Sequence, residues 1–180
     1  MKDIEDLSKA CVGVRRTNIL LFFCMSTLMF GSDDLRSDTL IEAHRAATFI
    51  KGFQKTCTAY NQSGSISFNF TSFSYSPEAG EVTVGIIIKS DRTGQGFGTL
   101  TQTSLAELDP SPSFEEFTRG KSTVPIVKFN CAKGACARNV GGAGVGTIGY
   151  IMLPGCSGSQ KLANAFSQLI SAHGGEPSPY

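Results

Sequence analysis

The chain has 180 residues, of which 41% are hydrophobic, which fits one domain with one core and argues against a second full domain. Its formal net charge is +1, and without the four basic and three acidic residues before Asp33 the rest carries twelve residues of each sign. A neutral body without a Lys/Arg cluster lacks the field that gathers phosphate backbones, so we predict neither a nucleic-acid partner nor a polybasic membrane patch.

An apolar segment of twelve residues, Ile19 to Phe30, lies near the N-terminus. Arg15 and Arg16 precede it, and small and acidic residues follow it, which is the layout of a signal peptide. The segment is shorter than the roughly 20 apolar residues that a membrane-spanning helix needs. A buried helix at the chain start is the alternative interpretation.

These features predict three regions. Residues 1–32 form a signal peptide or membrane anchor, residues 33–175 form a single α+β domain, and residues 176–180 form a tail. The predicted location is therefore periplasmic or secreted, or else membrane-anchored, and the membrane is contacted only through the N-terminal segment.

The first element of the body is a predicted helix from Ser37 to Cys57. Thr39 and Glu42 have the spacing of a capping box. Apolar residues recur at three- and four-residue spacing and predict a packed face, formed by Leu40, Ala43, Ala47, Ile50, Phe53 and Cys57. Side chains expected to face solvent are His44, Arg45, Lys51 and Lys55.

Three strands are predicted next, in a composition rich in Gly, Phe, Ser and Thr that favours short strands and tight turns. Residues Ser65–Ser76 alternate aromatic and polar side chains, with one slip in the alternation before Phe73. After a turn at Pro77–Gly80, the alternation continues in Glu81–Ser90. A second hairpin turn leads to an extended segment from Gly96 to Leu108, which completes an antiparallel meander.

Two more strands follow a break at Asp109–Pro112. Val124 to Phe129 is a predicted strand, and Pro125 within it indicates an edge position or a strand start, because proline cannot donate to a ladder. After a Gly-rich loop, Ile148 to Leu153 is the last predicted strand.

The last element is an amphipathic helix. Ser157 and Gln160 have the spacing of a capping box, and Gly174 is the predicted stop. Its apolar side consists of Leu162, Ala165, Phe166, Leu169 and Ile170.

Four cysteines follow the apolar segment, and an even number in an exported chain favours disulfides. Cys131 and Cys136 flank a turn-forming tetrapeptide, so a local bridge is geometrically easy. Cys57 and Cys156 are then left to pair and would tie the two helices together, provided that their Cα atoms come within about 7 Å. The spacing is a poor zinc pattern, so we predict no metal.

A G-x-G-x-x-G sequence at Gly144–Gly149 matches the dinucleotide fingerprint formally. That fingerprint needs a helix after the glycines, whereas a strand is predicted here. We therefore interpret Val140 to Gly146 as a hairpin loop whose glycines need positive φ angles, and we predict no cofactor.

Cys156 and Ser157 lie at a predicted helix N-terminus, where a thiolate is stabilised. A hydrolase would also need a base, and His173 is a full helix length away, where it would cap the helix end as a cation. Since no base can be named, a cysteine or serine hydrolase is the alternative and not the main prediction.

A late Cys-x4-Cys hairpin and a closing helix follow the run of strands. The residues that carry this layout are Ser104–Pro110, Ile126–Cys131, Cys136, and Leu153 through Gly174. Over residues 60 to 175 the chain resembles small bacterial exported domains of pleckstrin-homology-like shape. The resemblance implies an antiparallel sheet or partly closed barrel capped by the C-terminal helix, here with an additional N-terminal helix, and it implies a binding scaffold. An open antiparallel sheet with helices on one face is the alternative.

The predicted function is therefore an exported, non-catalytic binding module. A protein or peptide partner would use a sheet edge or the groove beside the last helix. A membrane-anchored structural subunit is the remaining alternative.

Overall fold

The computed structural model describes residues 32–90, 92–119, 122–142 and 146–178. The described residues from Asp38 onward form one compact unit. The predicted signal peptide or anchor lies outside the described residues, apart from the backbone of Ser32. None of the described helices is long and apolar enough to cross a membrane.

The first helix, α1, spans Ser32–Phe53. It starts before the predicted capping box, so that box is wrong. It also ends before Cys57, because the N–H groups of Thr56 and Cys57 both donate to the carbonyl of Phe53 and turn the chain into the first strand. The buried face of the helix consists of Ala43, Ala46, Ala47 and Ile50.

The last helix, α2, spans Ser159–Ala172. Gly158 precedes it with a φ of 84°, in the left-handed region, and no described side chain caps the first turn. The predicted capping box at Ser157 is therefore wrong. The predicted stop is confirmed, since Gly174 has a φ of 81°, which glycine adopts without strain.

The rest of the described chain is built of short strands joined by turns. A 3₁₀ helix at Leu105–Glu107 joins the fourth strand to the fifth. The strands are β1 (Thr58–Tyr60), β2 (Ile66–Ser76), β3 (Glu81–Ser90), β4 (Gly96–Ser104), β5 (Ser113–Arg119), β6 (Ser122–Asn130), β7 (Ala137–Gly142), β8 (Gly146–Ile148) and β9 (Tyr150–Pro154).

These strands form two antiparallel sheets, one of six strands in the order β1-β2-β3-β4-β7-β8 and one of three in the order β5-β6-β9. The predicted meander is β2-β3-β4, and the predicted slip in β2 is a β-bulge between Phe70 and Ser72. The third predicted strand ends at Ser104 and not at Leu108. There the chain turns into the 3₁₀ helix, which places Leu105 and Leu108 in the core, each 0% exposed.

The predicted strand Ile148–Leu153 is two strands that belong to different sheets. β8 ends at Ile148 and β9 begins at Tyr150. The chain changes sheets at Gly149, whose carbonyl accepts the N–H of Cys131 at 2.7 Å.

Pro125 lies in β6, which is the central strand of its sheet, so the predicted edge strand is wrong. Pairing of β6 with β9 begins one residue later, where Ile126 faces Pro154. The Pro125 carbonyl accepts the N–H of Gly155 at 2.8 Å, on the side of β9. Because the nitrogen and carbonyl of one strand residue point the same way, the missing N–H of Pro125 faces Gly155 just beyond the end of β9, so the proline forgoes at most the last bond of the ladder.

The apolar side of α2 packs on both sheets. The ring of Phe166 lies 5.6 Å from that of Phe73 in β2 and 5.6 Å from that of Phe129 in β6. The predicted aromatic face of β2 is therefore part of the core.

The fold is α+β, with antiparallel sheets and one helix before and one after the strands. The described strands form no closed barrel. The first residues of the predicted tail pack on the domain, since the Ser178 N–H donates to Asp109 Oδ2 at 2.8 Å.

Candidate functional site

The four cysteines of the body lie in the two pairs that their spacing favoured. Cys57 and Cys156 have Cα atoms 5.4 Å apart, and Cys131 and Cys136 have Cα atoms 5.7 Å apart. Both pairs fit disulfide bonds, which are typical of proteins in oxidising compartments.

The Cys57–Cys156 pair joins the end of α1 to the start of α2 and so brings together two helices that are far apart in the sequence. An open groove of about 390 Å³ lies between them. We call it the helix groove, and it is lined by Arg45, Ala46, Phe49, Lys161, Asn164, Ala165 and Gln168.

A second depression, of about 580 Å³, continues the helix groove along α1 and shares Arg45 and Phe49 with it. We call it the α1 notch, since it lies over Gly52, where a Cβ would meet no heavy atom within 4 Å. Phe49 is 42% exposed, and its ring stacks on that of Phe53 with centroids 5.6 Å apart. The two depressions together offer exposed aromatic surface beside a cation.

The helix groove is cationic. Arg45 and Lys161 line it. Neither forms an ion pair with a described residue, since the ion pair among the described residues joins Lys128 to Glu115, at 3.4 Å and outside the groove. None of the described residues that line the helix groove or the α1 notch is acidic. A surface of this kind attracts carboxylates and buries apolar side chains.

Phe49 is a site residue that sequence reasoning missed. The predicted packed face of the first helix included Leu40, which is in fact 43% exposed. Ile41 and Phe49 are also exposed, at 48% and 42%, and lie on one line of the helix with Arg45 between them. The helix has more apolar residues than one packed face needs, and this excess could have indicated the second, exposed line.

No side-chain hydrogen bond joins a described base to Cys156 or Ser157. Cys156 is paired with Cys57 and so offers no thiolate in this state. His173 lies at the opposite end of α2, where its Nε2 atom is 2.6 Å from the hydroxyl of Tyr75. His173 is the C-cap residue of α2, which agrees with its predicted position at the helix end. Burial lowers the pKa of its side chain below the ordinary value of 6.5, which disfavours the cationic form.

The dinucleotide fingerprint lies partly outside the described residues, which resume at Gly146. A strand, β8, and not a helix, covers its last part. Gly142, in the predicted hairpin loop, has a φ of 96°. No group of three or more His, Cys, Asp or Glu side chains among the described residues could hold a metal ion.

The chain matches no protein-family model, no curated protein and no solved structure. The residue roles below therefore come from the geometry and chemistry of this chain.

Proposed function

We propose that this protein is an exported, non-catalytic binding module that holds an acidic peptide segment with apolar side chains in the helix groove. One observation carries the proposal. Phe49 is exposed in the helix groove, and the groove is also lined by Arg45 and Lys161, two cations that form no ion pair with a described residue. An aromatic anchor flanked by cations suits a partner that pairs an apolar side chain with carboxylates.

Action outside the cytoplasm is supported by the two cysteine pairs that fit disulfides, because such bonds persist in oxidising compartments. The apolar segment at Ile19 to Phe30 supports the same proposal as a signal peptide or anchor. The resemblance to pleckstrin-homology-like domains stays a prediction, and it contributes no residue to the helix groove.

Selection from a displayed library of random peptides tests the proposal. We expect the enriched peptides to combine Asp or Glu with Leu or Phe, and to lose affinity as salt rises above about 0.15 M, because exposed charges are screened. Phe49→Ala should weaken the selected peptides at least ten-fold, since central aromatic anchors contribute about 2 kcal/mol or more. Arg45→Glu should weaken them through charge repulsion.

Matched controls separate the helix groove from general surface effects. Phe114→Ala removes another exposed phenylalanine, which is 51% exposed on β5, and Lys133→Glu reverses an exposed cation in the Cys131–Cys136 turn. Both variants should bind the selected peptides as the wild type does. Enrichment without acidic residues, or equal binding by Phe49→Ala, would show that the helix groove is not the site.

A further inference from the structure

A second concavity lies where the two sheets diverge, away from the helix groove. It is a cleft of about 120 Å³, lined by β3, β4, β7 and β8 of the six-stranded sheet and by β9 of the three-stranded sheet. Tyr150, Ile151 and Met152 all line it. Since successive residues of a strand point to opposite faces, contact with three in a row means that the cleft runs along the free edge of β9.

The wall formed by β4 is unexpectedly polar. In the β3–β4 register Val84 faces Thr101 and Ile86 faces Thr99, so both threonines share the inward face of the sheet with buried aliphatic side chains. Thr101 is only 6% exposed. A polar side chain in such a position is more informative than an exposed one, because its burial has to be compensated by hydrogen bonds.

The hydroxyls of Thr99 and Thr101 both donate to Asn139 Oδ1, each at 3.1 Å. Both hydroxyl protons are thereby used, and each oxygen keeps capacity to accept. The Asn139 Nδ2 group has no hydrogen-bond partner among the described residues. Every buried side-chain nitrogen or oxygen of the described residues has a hydrogen-bond partner. Asn139 Nδ2 has none, so it is not buried, and it is free to donate to a ligand.

The other described residues that line the cleft are apolar or aromatic, and none of them is charged. Val84, Ile86 and Ile151 are each less than 5% exposed. A charged ligand would therefore lose its hydration without gaining a counter-ion, so the cleft selects an uncharged one.

The Cys131–Cys136 hairpin supports one end of the cleft. The Cys131 N–H donates to Gly149 O at 2.7 Å, at the point where the chain passes from β8 to β9. Thr103, two residues beyond Thr101, donates to Cys136 O at 3.4 Å. The two sides of the cleft are thus tied to one covalent hairpin, and the cleft is held open before any ligand arrives.

We infer that this cleft binds a small uncharged aromatic or branched aliphatic molecule with one hydroxyl or carbonyl group. The apolar walls take the hydrocarbon part, while the polar group accepts from Asn139 Nδ2 and, where it is a hydroxyl as in phenol, also donates to Thr101 Oγ1. The cleft, at about 120 Å³, is somewhat smaller than the closed apolar cavity of about 150 Å³ that holds benzene, so it limits the ligand to a single small ring such as phenol, whose polar group can extend to the open edge. This site does not depend on peptide binding in the helix groove.

Titration of the full-length protein with phenol, followed by methyl and amide NMR, tests the inference. We expect saturable shifts at Val84, Ile86 and Met152 with a Kd of about 1 mM. Benzoate, which has the same ring with a charge, should produce no saturable shift at these residues. Toluene, which lacks the polar group, should bind more weakly than phenol.

Thr101→Val removes the buried hydroxyl without changing the side-chain shape. This variant should weaken phenol about five-fold, the equivalent of one hydrogen bond, and leave toluene unchanged. The matched control is Thr83→Val on β3, one residue from Val84 and therefore on the other face of the sheet. It should bind phenol as the wild type does.

Absence of saturable shifts at the cleft residues in the wild type at up to about 10 mM phenol would overturn the inference. Shifts confined to Phe49 and its neighbours would overturn it as well, by placing phenol in the helix groove. Equal phenol affinity in Thr101→Val and the wild type would show that the phenol hydroxyl makes no hydrogen bond with Thr101, which contradicts the proposed polar contact. If Thr101→Val fails to fold, the wild-type comparison of phenol, toluene and benzoate decides.

Discussion

Asp109 is a buried carboxylate, 9% exposed, that ties the chain end to the body. Its Oδ1 accepts the Ser111 N–H at 2.7 Å and its Oδ2 accepts the Ser178 N–H at 2.8 Å. Asp109→Asn replaces one accepting oxygen with an amide group that cannot accept. We expect the free energy of unfolding, measured in urea at pH 7, to fall by about 1 to 3 kcal/mol, because a buried donor loses its partner.

The same residue predicts a pH dependence. Burial raises the pKa of Asp109, but the backbone hydrogen bonds from Ser111 and Ser178 outweigh burial and hold that pKa below its ordinary value of 3.8. The ionised Asp109 carboxylate therefore contributes to the free energy of unfolding. This contribution is complete above pH 3.8 and is lost as the pH falls from there toward the lower pKa of the folded state. Wild-type stability should therefore drop more steeply below 3.8 than that of Asp109→Asn. Equal slopes in wild type and Asp109→Asn would contradict the assignment.

Single residues differ in how far their roles can be predicted. The favoured cysteine pairing follows from the short turn between Cys131 and Cys136, which leaves only Cys57 and Cys156. The role of Phe49 does not follow in this way, because its exposure depends on where α2 lies beside α1. That position is set by tertiary packing and not by local sequence.

At the scale of elements, Gly52 offers a test that separates stability from binding. It lies in the last turn of α1, where a Cβ would meet no heavy atom within 4 Å. Gly52→Ala should raise the free energy of unfolding by about 0.5 to 1 kcal/mol, since glycine is costly in a helix. The added methyl group occupies the α1 notch, so affinity for the selected peptides should fall.

Urea unfolding and peptide titration measure the two effects on one variant. Gly64→Ala is the matched control, because the space around Gly64 is equally open but its φ of 66° strains any other residue. That variant should lose stability and keep peptide affinity. If Gly52→Ala leaves peptide affinity unchanged, the α1 notch takes no part in binding.

Alternation predicted the central strands well, with β3 predicted at its observed bounds and the β2 slip found as a bulge. It failed where strands are short or change sheets. β1 and β8 have three residues each, too few for a period, and nothing local to Gly149 indicates a change of sheet. The sequence does not predict the cleft for a related reason. The alternation of Thr99 and Thr101 indicates a strand but not which of its faces is buried.

For the whole molecule, the two cysteine pairs should contribute unequally. Cys57→Ala/Cys156→Ala opens a loop with a sequence separation of 99 residues, and the loss of chain constraint predicts a cost of about 4.7 kcal/mol. Cys131→Ala/Cys136→Ala opens a separation of only 5 residues, with a predicted cost of about 2 kcal/mol. Urea unfolding without reductant compares them, and equal losses would contradict the loop-length argument.

The position of the longer bond has a topological consequence. All nine described strands lie between Cys57 and Cys156, and both helices are attached outside that span, at a single junction. The chain segment that forms both sheets is therefore closed into a covalent ring by the Cys57–Cys156 bond. A protease that cuts one hairpin tip linearises the ring but releases no fragment, so a chain nicked once stays one particle, with both helices still attached at the junction.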